Sequence, residues 1–262
     1  RGAGLALSRW IAHGRWRAER YDPAWRPAII GAWREAADKD QGQRTLTEVE
    51  AKRRLAAAGV PAAQARALPD RAAAEAFAAA ATGPVAIKIV SPDIHHKTDV
   101  GGVALNVSAE AIPAAFDAVT AAARAACPAA RIDGVLAEPM APAGGLEVLV
   151  GVTRDPVFGS VITVGLGGVA VELTGRFARR LLPLTPVEAR AMLSEAGLEP
   201  LLAGYRGQPA RDIPALVDFL CRVSEAVLGW DGTVDELDLN PVWVGADGEG
   251  VRTLDAVLRE RA

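Results

Sequence analysis

An apolar run, VAIKIV at residues 85–90, carries one cation, Lys88, and leads into a loop holding His95, His96, Lys97, Thr98 and Asp99. The run has the pattern of a buried strand. Ser91-Pro92-Asp93 breaks it, and Gly101-Gly102 close the loop before a second apolar run at 103–107. Few arrangements put a lysine, imidazoles, a carboxylate and paired glycines on so short a stretch. They are the groups that phosphate handling needs. Lysine offers a point charge, glycine lets backbone N–H groups approach an anion, and histidine acts as base or nucleophile. On the residues alone, Lys88 also fits the outward side of a half-buried strand, and the spacing is not that of a Walker loop.

The wording of the stretch says more. SPDIHHKTDVGGV closely resembles the SPDI-x-HKTDVGGV loop in the nucleotide-binding part of ADP-forming acyl-CoA synthetases. These belong to the ATP-grasp superfamily and are relatives of succinyl-CoA synthetase. The resemblance extends, with gaps, from about Leu46 to Asp255. It implies an α+β ATP-grasp fold, two α/β lobes closing on a nucleotide, with a helical extension in front. The expected layout is an extension or end of a preceding domain over 1–44 and an ATP-grasp domain over 45–262. Within the latter, a small lobe covers about 60–140 and a larger one about 141–262.

Composition narrows the classes. A chain of 262 residues with 50% hydrophobic content can bury a sizeable core. A net charge of −3 leaves no global footprint for nucleic acid or an anionic membrane. Cys127 and Cys221 make no disulfide framework and lack metal-ligand spacing. No apolar run of about 18 residues suggests a membrane span. Arg9, His13, Arg15 and Arg17 interrupt any signal-peptide core, so a cytoplasmic protein is expected. Residues 1–42 hold Trp10, Trp16, Trp25 and Trp33, four of the six tryptophans. They read as helices packing on the main body or as a docking arm, and suggest an oligomer.

From Thr45 the pattern is regular. Thr47 to Glu50 reads as a capping box for a helix ending at Gly59. A strand near 65–68, a helix over 71–81, and a long helix to about 126 capped by Ser108 follow. Strands are then expected at 134–138, 146–153, 159–164, 170–173 and 179–182. Thr185-Pro186-Val187-Glu188 opens another helix, to Ala196. A helix over 212–228 stopped by Gly229, and a hairpin of 236–244 with 251–255, complete the list.

The resemblance assigns roles to residues that match its motifs. His96, directly before Lys-Thr-Asp-Val-Gly-Gly, takes the place of the histidine that carries phosphate. His95 sits where the family varies. Lys88 is the strand lysine on ATP phosphates, and Lys97 with the Gly101-Gly102 amides would add to the field around them. Glu138 and Met140 match the adenine hinge, and Glu147 the ribose ligand. Asp238, Asn240 and Asp255 match the Mg²⁺ set. Two positions apart on a strand, Asp238 and Asn240 face one way, and oxygen donors suit Mg²⁺. Asp238 stands where glutamate is usual. After the glycine turn at 165–168, Glu172 is kept, but Gly175-Arg176 replaces the family's Lys-Asp pair.

The implied cofactors are ATP/ADP and Mg²⁺, and the implied activity is an acid–thiol ligation that forms ADP. CoA and a carboxylic acid would be substrates of the full enzyme. Its CoA-binding and ligase domains are expected on another chain or another part of a longer polypeptide. Two other readings stay open. One is a non-catalytic nucleotide-binding regulatory module of an acyltransferase-type protein. The other is an ATP-grasp carboxylate ligase, which leaves the HKTDVGG loop unexplained.

Overall fold

Two capping boxes start the helices that brace the larger sheet. Thr47 Oγ1 accepts from the Glu50 N–H, and the Glu50 carboxylate accepts in return from the Thr47 N–H. Thr185 and Glu188 repeat the arrangement. Each box satisfies amides that the first turn of a helix leaves without partners. These helices are α1 (Glu48–Ala57) and α4 (Pro186–Glu195). The computed structural model describes residues 43–94, 96–168, 176–205 and 207–261.

The strands are β1 (Gln43–Leu46), β2 (Arg66–Leu68), β3 (Val85–Val90), β4 (Val103–Val107), β5 (Gly134–Pro139) and β6 (Leu146–Asp155). They continue with β7 (Gly159–Leu166), β8 (Phe177–Leu181), β9 (Val234–Val244), β10 (Val251–Thr253) and β11 (Val257–Arg261). The other helices are α2 (Arg71–Ala78), α3 (Ile112–Ala126), α5 (Glu199–Leu202) and α6 (Ile213–Gly229). A seven-stranded sheet has the order β1-β11-β9-β6-β7-β8, with β10 also on β9. A four-stranded sheet has the order β2-β5-β3-β4. All pairings within both sheets are antiparallel. The architecture is α+β.

Each sheet has its own core. Val148, Val150 and Val152 alternate along β6 and meet Leu237, Leu239, Val242 and Val244 of β9. Phe219, Leu220 and Val223 of α6 cover them, and burying each such side chain contributes about 1.5–3 kcal/mol. In the smaller unit, Ile87, Ile89, Val135 and Ala137 pack under Ile112, Val119 and Ala123 of α3.

Several elements depart from the sequence expectation. Ser108 makes no side-chain cap; it precedes a single 3₁₀ turn, Ala109–Ala111, and α3 starts at Ile112 with Pro113 in its first turn. The helix at 71 stops at Ala78. Gly229 does not stop α6; it is the last helical residue, and Trp230 caps. β1, β11 and α5 were not anticipated. β9 reaches back to Val234 because β11 pairs with its first half while β10 pairs with its second. The helices expected within 1–42, His95 and the strand expected at 170–173 lie outside the described residues.

Candidate functional site

A cavity of about 410 Å³ opens between the two sheets. Its wall takes Lys88 from β3, Glu138 from β5, Glu147 from β6, Asn240 from β9, and Asp255 from the turn before β11. Met140 and the glycines Gly144-Gly145, on the segment joining β5 to β6, complete one side. Six of the eight residues expected from the sequence thus meet in one place. His96 and Asp238 do not line the cavity.

Behind the wall lies a closed set of charges. Lys88 is buried, 7% exposed, which sets aside the alternative of a solvent-facing lysine on a half-buried strand. Its Nζ is 3.0 Å from Glu48 Oε1, 2.8 Å from Glu138 Oε1 and 2.6 Å from the Leu254 carbonyl oxygen. Lys52 Nζ lies 2.7 Å from Glu48 Oε1, 2.6 Å from the same carbonyl, and pairs with Glu138 Oε2. Lys97 Nζ lies 2.9 Å from Glu48 Oε2 and 2.8 Å from Asp255 Oδ1. Three ammoniums therefore face three carboxylates, and the set is neutral.

That balance makes the burial possible, since a lone charge in this position would be costly. Burial alone would push the Glu48 carboxyl up, but Lys88, Lys52 and Lys97 together hold it well below the usual carboxylate range. Burial would likewise lower Lys88 and Lys97, and Glu48 and Asp255 raise both above an ordinary lysine. Asp255 is pushed up, by burial first and then by Glu48, against the pull of Lys97 and Lys88.

Glu48 and Lys52 were missed in the sequence. One turn apart on α1, they read as an ordinary surface pair.

The hinge segment is pinned on both sides. The Met140 N–H donates to the Pro84 carbonyl at 3.2 Å, which extends the β3–β5 pairing and commits that amide. Trp243 Nε1 donates to the Pro142 carbonyl at 3.1 Å. Gly145 lies under this indole so closely that a Cβ there would sit 1.9 Å from Nε1. Arg252 covers the ring, its guanidinium 4.7 Å from the centroid. The glycine turn after β7 is equally committed. The Gly167 N–H donates to the Glu147 carbonyl at 2.9 Å and the Gly168 N–H to Asn240 Oδ1 at 3.1 Å.

The loop after β3 corrects two expectations. Lys97 is buried in the charge set, and the glycine amides bond within the loop. The Gly101 N–H donates to the Thr98 carbonyl at 3.1 Å and the Gly102 N–H to the Lys97 carbonyl at 2.8 Å. None of these groups is spare for a phosphate. A Cβ on Gly102 would stand 2.7 Å from Ile89 Cγ2, so close packing, rather than anion binding, requires glycine there. His96 itself is exposed.

Asp238 lies across from Gly151 and Val257 in the larger sheet, on the face opposite the core. Its carboxyl is pushed up to about 6, by burial first and then by Glu236 and Asp255, with His96 acting in the opposite sense. Of the three residues matched to Mg²⁺, Asn240 and Asp255 thus share the cavity and Asp238 stands beside it. An amide and a carboxylate oxygen are the small, hard donor set that Mg²⁺ accepts when phosphate and water fill its other positions. Among the described residues, no three His, Cys, Asp or Glu side chains cluster as a metal cage. Arg176 is outside the cavity, its guanidinium within 2.8 Å of where a Gly197 Cβ would be, at the end of α4. Glu172 and Gly175 fall outside the described residues. No helix among the described residues is long and apolar enough to cross a membrane.

Residues 37–259 match the family model described as an ATP-grasp domain. The chain is 41% identical, over 217 residues, to the beta subunit of acetate–CoA ligase (ADP-forming) II from Pyrococcus furiosus, covering 82% of this chain and 92% of that subunit. Its fold is similar to dinucleotide-forming acetyl-coenzyme A synthetase 1 of Ca. Korarchaeum cryptofilum, solved in complex with coenzyme A, Ca-AMPCP and HgCl⁺. The TM-score is 0.78 and the identity 34%, over 90% of this chain and 100% of that one. The same synthetase solved with coenzyme A and Mg-AMPPCP, its phosphohistidine segment pointing towards the nucleotide-binding site, aligns at a TM-score of 0.69. There the identity is 33%, over 83% of this chain and 93% of that one. The chain is a member of the ATP-grasp family and a relative of the beta subunits of ADP-forming acetate–CoA ligases.

Proposed function

We propose that this chain is the nucleotide-binding, phosphoryl-transfer part of an ADP-forming acyl-CoA synthetase, an acid–thiol ligase. The full reaction is acid + CoA + ATP ⇌ acyl-CoA + ADP + phosphate. One observation carries the proposal: Lys88 and Glu138 of the smaller sheet converge with Glu147, Asn240 and Asp255 on one cavity of about 410 Å³. The loop between β3 and β4 keeps His96 exposed, two residues before Thr98 of the cavity wall.

In this reading the two sheets act as lobes that close on the nucleotide. The phosphates lie along Lys88, the base along the segment from Glu138 to Gly145, and the ribose hydroxyls at Glu147. Because Pro84 holds the Met140 N–H, the base is read by other backbone groups of that segment. A His96 ring nitrogen attacks the γ-phosphorus in line. The N–P bond forms as the bond to the β-phosphate oxygen breaks, ADP leaves, and the ring proton passes to solvent. Asn240 and Asp255 would hold Mg²⁺, which would spread the negative charge of the phosphates.

The phosphoryl group then moves to CoA-binding and ligase domains on a partner chain or elsewhere in a longer polypeptide, in an oligomeric cytoplasmic enzyme. That the Pyrococcus relative is a beta subunit supports a partner. The Gly175-Arg176 departure favours the second reading, a regulatory module that binds nucleotide without transferring phosphate.

Calorimetric titration with Mg·ATP tests the site. The wild type is expected to bind at micromolar to sub-millimolar level, about −5 to −8 kcal/mol, and Lys88→Ala and Asp255→Ala to lose it. γ-labelled ATP should then leave a label that survives base and is lost in acid, absent from His96→Gln. A wild type that takes up no nucleotide with its partner chain present overturns the proposal. Binding without label supports the regulatory reading.

A further inference from the structure

Lys52 and Lys88 hold the same three groups. Both ammoniums touch Glu48 Oε1, at 2.7 and 3.0 Å, and both reach the Leu254 carbonyl oxygen at 2.6 Å. Each also takes one oxygen of the Glu138 carboxylate, Oε2 for Lys52 and Oε1 for Lys88. Of the two, only Lys88 forms part of the cavity wall.

This duplication has a physical consequence. A lysine that alone balances a buried carboxylate cannot leave it without stranding a charge. One whose every acceptor is held by a second ammonium can. Two like charges sharing three acceptors also repel, which favours departure of the one with an open path. We infer that Lys52 is a positioning residue that stays on Glu48, Glu138 and the Leu254 carbonyl while Lys88 turns to the nucleotide phosphates; this rests on the nucleotide site proposed above. Lys88 remains protonated throughout and exchanges carboxylate oxygens for phosphate oxygens. After the exchange Glu48 keeps two ammoniums, Lys52 and Lys97, and Glu138 keeps one. Lys52 never touches the nucleotide, yet sets how strongly Lys88 is held back.

The test is titration of the full chain with the Mg²⁺ complex of β,γ-methylene-ATP. Lys52→Gln is expected to bind about tenfold more weakly or worse, because Lys88 is then the sole partner of Glu138. Lys52→Arg, which keeps a cation beside Glu48 and Glu138, should recover most of the loss. A merely structural Lys52 would lower the unfolding midpoint and leave the affinity of the folded protein unchanged. The inference is overturned if folded Lys52→Gln binds like the wild type while Lys88→Ala does not, or if folded Lys52→Arg binds no better than Lys52→Gln. Should Lys52→Gln fail to fold, a crystal structure of the wild type with the analogue decides. It must show Lys88 on phosphate and Lys52 still on Glu48 and Glu138; Lys88 unmoved, or Lys52 on the nucleotide, overturns it. A wild type that binds no analogue removes the site and this inference together.

Discussion

Lys97 Nζ reaches both carboxylate oxygens of Asp255, at 2.8 and 3.1 Å, and so ties the loop that carries His96 to the larger sheet. Its third contact, 2.9 Å to Glu48, adds α1 to the joint. Neighbours in the chain thus have opposite fates: Lys97 is 7% exposed and His96 is open to solvent. One anchors and the other is displayed.

Lys97→Met keeps most of the side-chain volume and removes the charge. It leaves Glu48 Oε2 and Asp255 facing each other without a cation, and should cost about 3 kcal/mol of stability. Urea unfolding of the variant against wild type measures this. A loss below about 0.5 kcal/mol would mean that solvent reaches the cluster and replaces the ammonium.

His96→Gln should behave in the opposite way. An exposed side chain contributes little to folding, so the unfolding free energy should stay within about 0.5 kcal/mol of wild type. The base-stable phosphoryl label should nonetheless disappear. A variant that still takes label sends the search to another nucleophile.

Asp238 gives a pH signature. Its carboxyl rises from 3.8 to about 6 in the folded protein, with burial the first cause and Glu236 and Asp255 adding to it. Between those values the folded chain holds a proton that the unfolded chain has released, so stability falls as pH rises through this window. Asp238→Asn removes that fall. The variant should be more stable than wild type by about 1–2 kcal/mol at pH 7, after allowance for partial exposure, and equal to it at pH 3.5. Denaturant midpoints at the two pH values check the sign.

Gly145→Ala should disrupt the hinge, because the added Cβ would meet the Trp243 indole at 1.9 Å. Overpacking of this kind costs about 1–3 kcal/mol, and nucleotide affinity should fall with it as the indole shifts off Pro142. Gly151→Ala is the control. Its Cβ would lie 3.7 Å from the nearest atom, an ordinary contact, and its melting temperature should change little.

The parts of this fold that were legible in the sequence are those whose cause is local. Thr47-x-x-Glu50 and Thr185-x-x-Glu188 specify helix starts within four residues, and both appear as reciprocal caps. Asp212, expected at the head of a helix, caps Ala215 at 3.0 Å. β11 escaped notice because VLRER pairs with β9 along an edge of polar partners, Arg259 with Glu236 and Arg261 with Asp235, which leaves little hydrophobic alternation. The site divides the same way. Lys88, Glu138, Asn240 and Asp255 stand in recognisable motifs, and the cavity holds all four. Glu48 and Lys52 acquire meaning only once α1 is laid beside β3, forty residues away for the Lys88 contact. Nothing in their spacing announces that neighbour. Lys97 was matched to phosphate because it follows His96, yet tertiary packing turns it inward.

Both passages of the chain between the sheets are fastened to one hairpin. On the way out, the Ala63 N–H donates to the Thr253 carbonyl and the Thr253 N–H to that of Pro61, at 2.9 and 3.0 Å. On the way back, Trp243 grips Pro142. Thr253 and Trp243 are near neighbours in the β9–β10 ladder, where Thr253 faces Val242 and Trp243 faces Arg252. The smaller sheet is therefore hung like a door, with both leaves of its hinge screwed to the same short post. A swing of that sheet would turn about an axle only a few residues long, and would have to part the buried Lys97–Asp255 pair.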